Sequence, residues 1–182
     1  MSRIDLVNAD AVSEESKIIL REIKSAFGVV PNMFKAVANS PAALKSMWGS
    51  FGALGAGRLG AKLGEQIAVA VADRNACNYC LAAHTALGRK AGATADEMIA
   101  AQSGRSSDPR TAAALTFAVA VVEQRGQVAA ADIATVKGAG FDDQDIAEIM
   151  AHVALNLFTN YVNVALDVPV DFPGVKLTRD AR

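Results

Sequence analysis

Aromatic residues make up only 5% of this 182-residue chain. That scarcity argues against an all-β sandwich, whose strands draw on β-branched and aromatic side chains. The 52% hydrophobic content, rich in alanine, favours closely packed helices instead. Net charge is only -1, and no basic run with interleaved aromatics occurs, so the electrostatic footprint of a nucleic-acid partner is missing. The opening Met1-Ser2-Arg3-Ile4-Asp5 has no apolar stretch behind it and reads as neither a signal peptide nor a membrane span. The expectation is one cytoplasmic domain over residues 1–182 with no membrane partner. Cysteine is scarce too, at two residues. In a reducing cytoplasm a disulfide between residues three apart stabilises little, because the loop it closes is so short. Redox or metal chemistry therefore gains weight as the reason for the pair.

The pattern along the chain predicts an all-α fold. Ser13 can cap a helix over 13 to 27 with the apolar stripe Ile19, Leu20, Ile23 and Phe27, and Gly28 stops it. Val30-Pro31-Asn32 forces a turn before a short helix from about 33 to 37, and Ser40-Pro41 starts another from about 42 to 54. Gly52, Gly55, Gly57 and Gly60 read as a flexible connector. The segment around Leu63, Ile67 and Val71 is apolar on all sides and predicts a buried helix, in which Glu65 needs a partner. A helix from about 76 to 90 follows and ends at Gly92. Thr94 can cap another, and a polar loop over 103–109 leads to a helix pair at 110–124 and 129–137. Phe141-Asp142-Asp143 opens a long last helix to about Leu166, and Pro169 to Pro173 ends regular structure. The two helix pairs resemble each other at an offset of 48 residues, which suggests an internal duplication. Glu65, Cys80 and His84 fall on Ala113, Val128 and Asp132 in the second copy, so only the first copy can do thiol chemistry.

Cys77-Asn78-Tyr79-Cys80 with His84 and Glu65 is the one place where nucleophile, acid and base converge. Two cysteines three apart, and a histidine four beyond the second, share one helix face. A reversal between Arg74 and Asn75 would pack the two helices antiparallel and bring Glu65 level with His84. The first turn of the second helix would hold both thiols near the positive end of its dipole, which favours a thiolate. The imidazole could then take the thiol proton and the carboxylate could hold the imidazole. A zinc site from Cys77, Cys80, His84 and Glu65 is the competing chemistry, and plain packing of small buried cysteines is the competing absence of any. His152, Asn156, Thr159 and Asn163 form a polar stripe on the last helix, for which solvent exposure is favoured over a reach to the site or a subunit contact. Tyr79 and Trp48 read as packing residues, and Asp142 and Asp143 as capping acids.

The segment Glu65-Gln66-Ile67-Ala68-Val69-Ala70-Val71-Ala72, followed by Asn75-Ala76-Cys77-Asn78-Tyr79-Cys80-Leu81-Ala82-Ala83-His84, resembles the signature of alkylhydroperoxidase D-like proteins of the carboxymuconolactone decarboxylase superfamily. Val30-Pro31-Asn32-Met33-Phe34 and Ser40-Pro41 are similar to the N-terminal half of that family. The resemblance implies an all-α fold, assembly as trimers or hexamers, and reduction of a small-molecule hydroperoxide without a cofactor. It implies Cys80 as the peroxidatic thiol, Cys77 as the resolving thiol, and His84 with Glu65 as the proton relay. A thiol reductant or dithiol carrier protein would then reopen the disulfide. Tyr79 stands where the best-known member type has histidine, a departure that bears on the relay. A lactone decarboxylase that does not use the thiols, and a metal-binding or structural oligomer, are the alternatives.

Overall fold

The computed structural model describes residues 2–178. Met1 and residues 179–182, the ends of the expected 1–182 domain, lie outside the described residues. A 3-10 turn, Ala9–Ala11, precedes nine α-helices among the described residues: α1 (Glu14–Phe27), α2 (Asn32–Val37), α3 (Pro41–Gly55), α4 (Gly60–Arg74), α5 (Asn78–Lys90), α6 (Ala95–Gln102), α7 (Pro109–Glu123), α8 (Ala130–Gly138) and α9 (Asp143–Ala165). No strand occurs among them. The fold is all-α, as the composition and periodicity predict.

The helix ends follow local chemistry. Ser13 accepts a hydrogen bond from the Ser16 amide at 3.3 Å, and Gly28 ends α1 in the left-handed region at φ 80°. Thr94 and Glu97 form a reciprocal capping box, and Asp142 caps α9 through the Asp145 amide at 2.9 Å. The expected glycine connector is shorter than the sequence suggested. Gly52 and Gly55 lie inside α3, because the stripe Leu44, Met47, Trp48 and Phe51 keeps packing against α1 and α2 through that turn. In the second helix pair, Asp132 caps α8 by accepting from the Ala129 amide at 2.8 Å, a structural use of the position that matches His84.

Helix α4 is the central element, packed against α5, α6, α7 and α9. Every residue from Gln66 to Asp73 is buried, which is why this stretch carries no amphipathic alternation. Ile67 is 0% exposed at the middle of it. Ile67→Ala is expected to cost about 2–5 kcal/mol, from lost transfer energy plus the cavity left behind. Denaturant melts would show a lower midpoint at unchanged slope; an unchanged midpoint would contradict the central place given to α4.

The reversal after α4 is what positions the chemistry. Ala76 takes φ 51°, the left-handed region that alanine enters only at a cost. There the Ala76 amide bonds Asp73 O at 3.2 Å and the Cys77 amide bonds Ala72 O at 2.9 Å, a six-to-one closure of the Schellman type. The chain thereby turns within Asn75 and Ala76 and lays α5 antiparallel on α4. No helix among the described residues is long and apolar enough to cross a membrane.

Candidate active site

Helix α5 begins at Asn78, two residues later than expected, and Cys77 stands at its N-cap. Its Sγ accepts from the Cys80 amide at 3.2 Å, in the place a serine or aspartate oxygen usually fills. Cys80 is the third helical residue, inside the first turn where unpaired amides and the helix dipole favour an anion. One turn further on, His84 Nδ1 lies 2.7 Å from Glu65 Oε2 of α4. An ionised carboxylate only accepts, so Nδ1 carries the proton in this pair and Nε2 is left for other use. The antiparallel packing of α4 and α5 therefore places Glu65 level with His84. No direct hydrogen bond joins His84 to either thiol among the described residues; the imidazole acts on Cys80 through its field.

The third wall comes from α9. Asn163 Nδ2 donates to Cys80 Sγ at 3.2 Å, and Asn160 Oδ1 accepts from Asn75 Nδ2 at 2.9 Å at the reversal. Asn156, Thr159, Asn160 and Asn163 are all buried. The polar stripe of α9 thus faces inward, which corrects the expected solvent exposure. Asn163 and Asn160 meet the Cys80 thiol and the Asn75 side chain there, while Asn156 and Thr159 bond carbonyls of α9 itself. His152, at the head of the stripe, is half-buried. Its ring occupies the space over Gly64, where a Cβ would lie 2.9 Å from His152 Cε1, and it shares a cavity of about 140 Å³ with Glu65 and His84.

These contacts divide the thiols. Burial pushes the Cys80 pKa up, but its hydrogen bond with Cys77, the charge of His84 and the amides of Asn163 and Asn160 outweigh that and lower it to about 7. The Cys77 thiol moves upward, first through its hydrogen bond with Cys80 and then through burial. Burial works against protonation of His84, yet the charge of Glu65 and its hydrogen bond prevail and raise it. One proton shared between the sulfurs stays on Cys77, and the negative charge settles on Cys80. Cys80 is therefore ionised more readily than an ordinary thiol of pKa about 8.5.

Asn163→Leu keeps the side-chain volume and removes the 3.2 Å hydrogen bond that α9 donates to the Cys80 sulfur. A charge-assisted bond of this kind is worth about 1.5–3 kcal/mol, so alkylation of Cys80 by iodoacetamide at pH 7 should slow about tenfold. An unchanged rate would show that Asn163 only packs. The sequence offered one signal for this residue, the recurrence of His152, Asn156, Thr159 and Asn163 along a single face.

Cys80 and His84 open into a chamber walled by Phe27, Phe34, Phe51, Leu87 and Phe172, of about 30 Å³. That is room for about two water-sized atoms. Phe172 reaches it from the C-terminal segment and meets the Tyr79 ring edge-on at 5.7 Å. That segment is pinned by the Asp171 carboxylate, which accepts from the Asn32 amide at 2.8 Å, and by buried Asp73, which accepts from the Thr178 amide at 2.9 Å. No group of three or more His, Cys, Asp or Glu side chains among the described residues is gathered to hold a metal ion. Trp48 packs against Phe27, Phe34 and Phe51.

An all-helical fold with two thiols, an imidazole and a carboxylate around one helix start is the class that fold and site define. Residues 41–124 match the model of the carboxymuconolactone decarboxylase family. Two solved structures extend the likeness to nearly the whole chain. An uncharacterized peroxidase-related protein from Silicibacter sp. TM1040 is 27% identical, with 92% of this chain and 91% of its own covered and a TM-score of 0.82. The alkylhydroperoxidase AhpD core of a peroxidase-related protein from Ralstonia eutropha JMP134 is 25% identical, with coverage of 93% and 92% and a TM-score of 0.85. The debrominase Bmp8, as a cysteine-to-alanine variant in complex with 2,3,4-tribromopyrrole, shares the fold at 20% identity, coverage of 94% of each chain and a TM-score of 0.79. No curated protein matches the chain.

Proposed function

We propose that this protein is a cysteine-dependent hydroperoxide reductase. The observation that carries the reading is the asymmetry of the thiols: Cys80 lies under an apolar chamber with the Asn163 amide on its sulfur and its pKa lowered, while the pKa of Cys77, three residues away, is raised. The Cys80 thiolate attacks the terminal oxygen of R–O–OH, the O–O bond breaks, and RO⁻ leaves as the alcohol after taking a proton supplied through His84. Cys80 is then a sulfenic acid. Cys77 attacks its sulfur, water leaves, and a Cys77–Cys80 disulfide closes. Two electrons have passed from the dithiol to the peroxide. Glu65 favours the protonated form of His84 between turnovers.

A thiol reductant or a dithiol carrier protein returns the disulfide to two thiols, and the chain needs no cofactor for either half. We place the reaction in the cytoplasm, where such reductants are maintained. The protein works as a homo-oligomer, a trimer or hexamer, and the support in this chain is the exposed apolar row Met150, Phe158, Tyr161 and Val164 along α9.

Steady-state consumption of cumene hydroperoxide in the presence of dithiothreitol tests the reading. Wild type should turn over, and the Cys77→Ser/Cys80→Ser double variant should not. Equal consumption by both would overturn it. A lactone decarboxylase activity that survives in the double variant would establish the thiol-independent alternative.

A further inference from the structure

The two cysteines do not open into the same space. Cys80 faces the aromatic chamber described above, whereas Cys77 lines a second cavity of about 220 Å³ on the other side of Tyr79, with Asn78, Asp167, Val168 and Val170. Tyr79 borders both. Its ring is buried, its hydroxyl accepts from the Met33 amide at 3.2 Å, and Phe172 braces its edge, so it stands as a fixed wall shared by the two cavities. The residue that departs from the family's histidine thereby has a structural use.

Resting on the peroxidase reading, we propose that the Cys77 cavity is the binding site for the reducing thiol, separate from the chamber that admits the peroxide, and that it takes an uncharged reductant. Three observations support the division. The second cavity is the larger and the more polar of the two, walled in part by the exposed side chains Val170 and Asp167, so a water-borne thiol can reach it. Asp167 is the one charged residue on its wall among the described residues, and a carboxylate there repels an anionic thiol. Exchange chemistry also favours attack at this sulfur. A thiolate that attacks Cys77 of the disulfide expels Cys80, the sulfur with the better-stabilised anion, and the S–S bond breaks toward the better leaving group. The mixed disulfide on Cys77 is then cleaved by a second thiol, giving RS–SR and the reduced pair, so two reductant thiols supply the two electrons.

The test isolates the reductive half. The disulfide is closed with diamide, excess oxidant is removed, and its loss is followed by intact mass after acid quench. Each run uses either neutral 2-mercaptoethanol or anionic 3-mercaptopropionate, with rates expressed per thiolate. The neutral thiol should react faster, and Asp167→Asn, which tolerates the left-handed φ of 50° at that position, should narrow the ratio about threefold. Val170→Trp should slow both thiols about tenfold by filling the cavity, while oxidation of the reduced protein by cumene hydroperoxide stays within about twofold of wild type. A tryptophan variant that reduces at the wild-type rate, or that loses oxidation and reduction alike, overturns the proposal. So does an unchanged charge ratio in Asp167→Asn. Should peroxide fail to oxidise the wild type while diamide succeeds and the reductive arms behave as stated, the peroxidase reading falls and the thiol site stands. Failure of diamide to close the disulfide at all removes both.

Discussion

Cys80→Ser should lower hydroperoxide turnover about 10 000-fold, to the rate of peroxide and free thiol in buffer, because removing the nucleophile of a cooperating set abolishes most of its catalysis. The companion change behaves differently. Cys77→Ser retains the Cys80 nucleophile and should still perform one turnover, stopping as a sulfenic acid that dimedone traps. It should also raise the Cys80 pKa, since Cys77 is the first of the neighbours that lower it. The asymmetry between the two variants is the diagnostic result. Reversed behaviour, with Cys80→Ser trapping a sulfenic acid on Cys77, would exchange the roles assigned to the thiols.

Glu65→Gln should lower the rate of reaction with hydroperoxide at pH 7 about 100-fold, within the range expected for losing a positioned acid–base group. The sign follows from the order of the contacts. Glu65 holds the His84 pKa up against burial. Without that carboxylate, burial prevails and the imidazole becomes neutral at pH 7. Cys80 then loses the nearby positive charge that helps lower its pKa, so its pKa rises from about 7. The acid limb of the pH–rate profile should therefore move to higher pH. The deficit should shrink as pH is raised, because the part due to missing thiolate is restored by titration and the part due to lost proton delivery is not. A profile that keeps its limb near pH 7 would show that the Glu65–His84 pair does not act on Cys80.

Much of the fold was legible because the helices announce their own ends. Ser13 with Gly28, Ser40 with Pro41, and Thr94 with Glu97 each satisfy backbone groups through neighbours in sequence, so their effect can be read from spacing alone. The α4–α5 hairpin was legible for a related reason. Two apolar helices joined by a reversal near Arg74 and Asn75 have one simple way to pack, and that fixes Glu65 opposite His84. Gly52 and Gly55 were misread because glycine costs a helix only about 1 kcal/mol, which the packing of Met47, Trp48 and Phe51 exceeds. Cys77 was placed in the first turn when it is the cap, a shift caused by the left-handed Ala76 that nothing in an alanine's identity signals.

The direction in which the α9 polar stripe faces was hidden for a different reason. Whether Asn163 meets water or a thiolate depends on what another helix, 83 positions away in sequence, brings to it. Periodicity reports that a face is polar and not what it faces. The same limit applies to Tyr79, whose place between two cavities requires Phe172 and Met33 to be positioned first.

The central claim is that Cys80 and Cys77 form a redox pair driven by hydroperoxide, and intact mass tests it most directly. Fully reduced wild type is mixed with a small excess of cumene hydroperoxide beside Cys80→Ser, quenched over seconds to minutes, and weighed. The account predicts a rapid loss of about two mass units in the wild type, as one disulfide replaces two thiols, and no such loss in the variant. No loss in the wild type, or equally slow oxidation of both proteins, would contradict it.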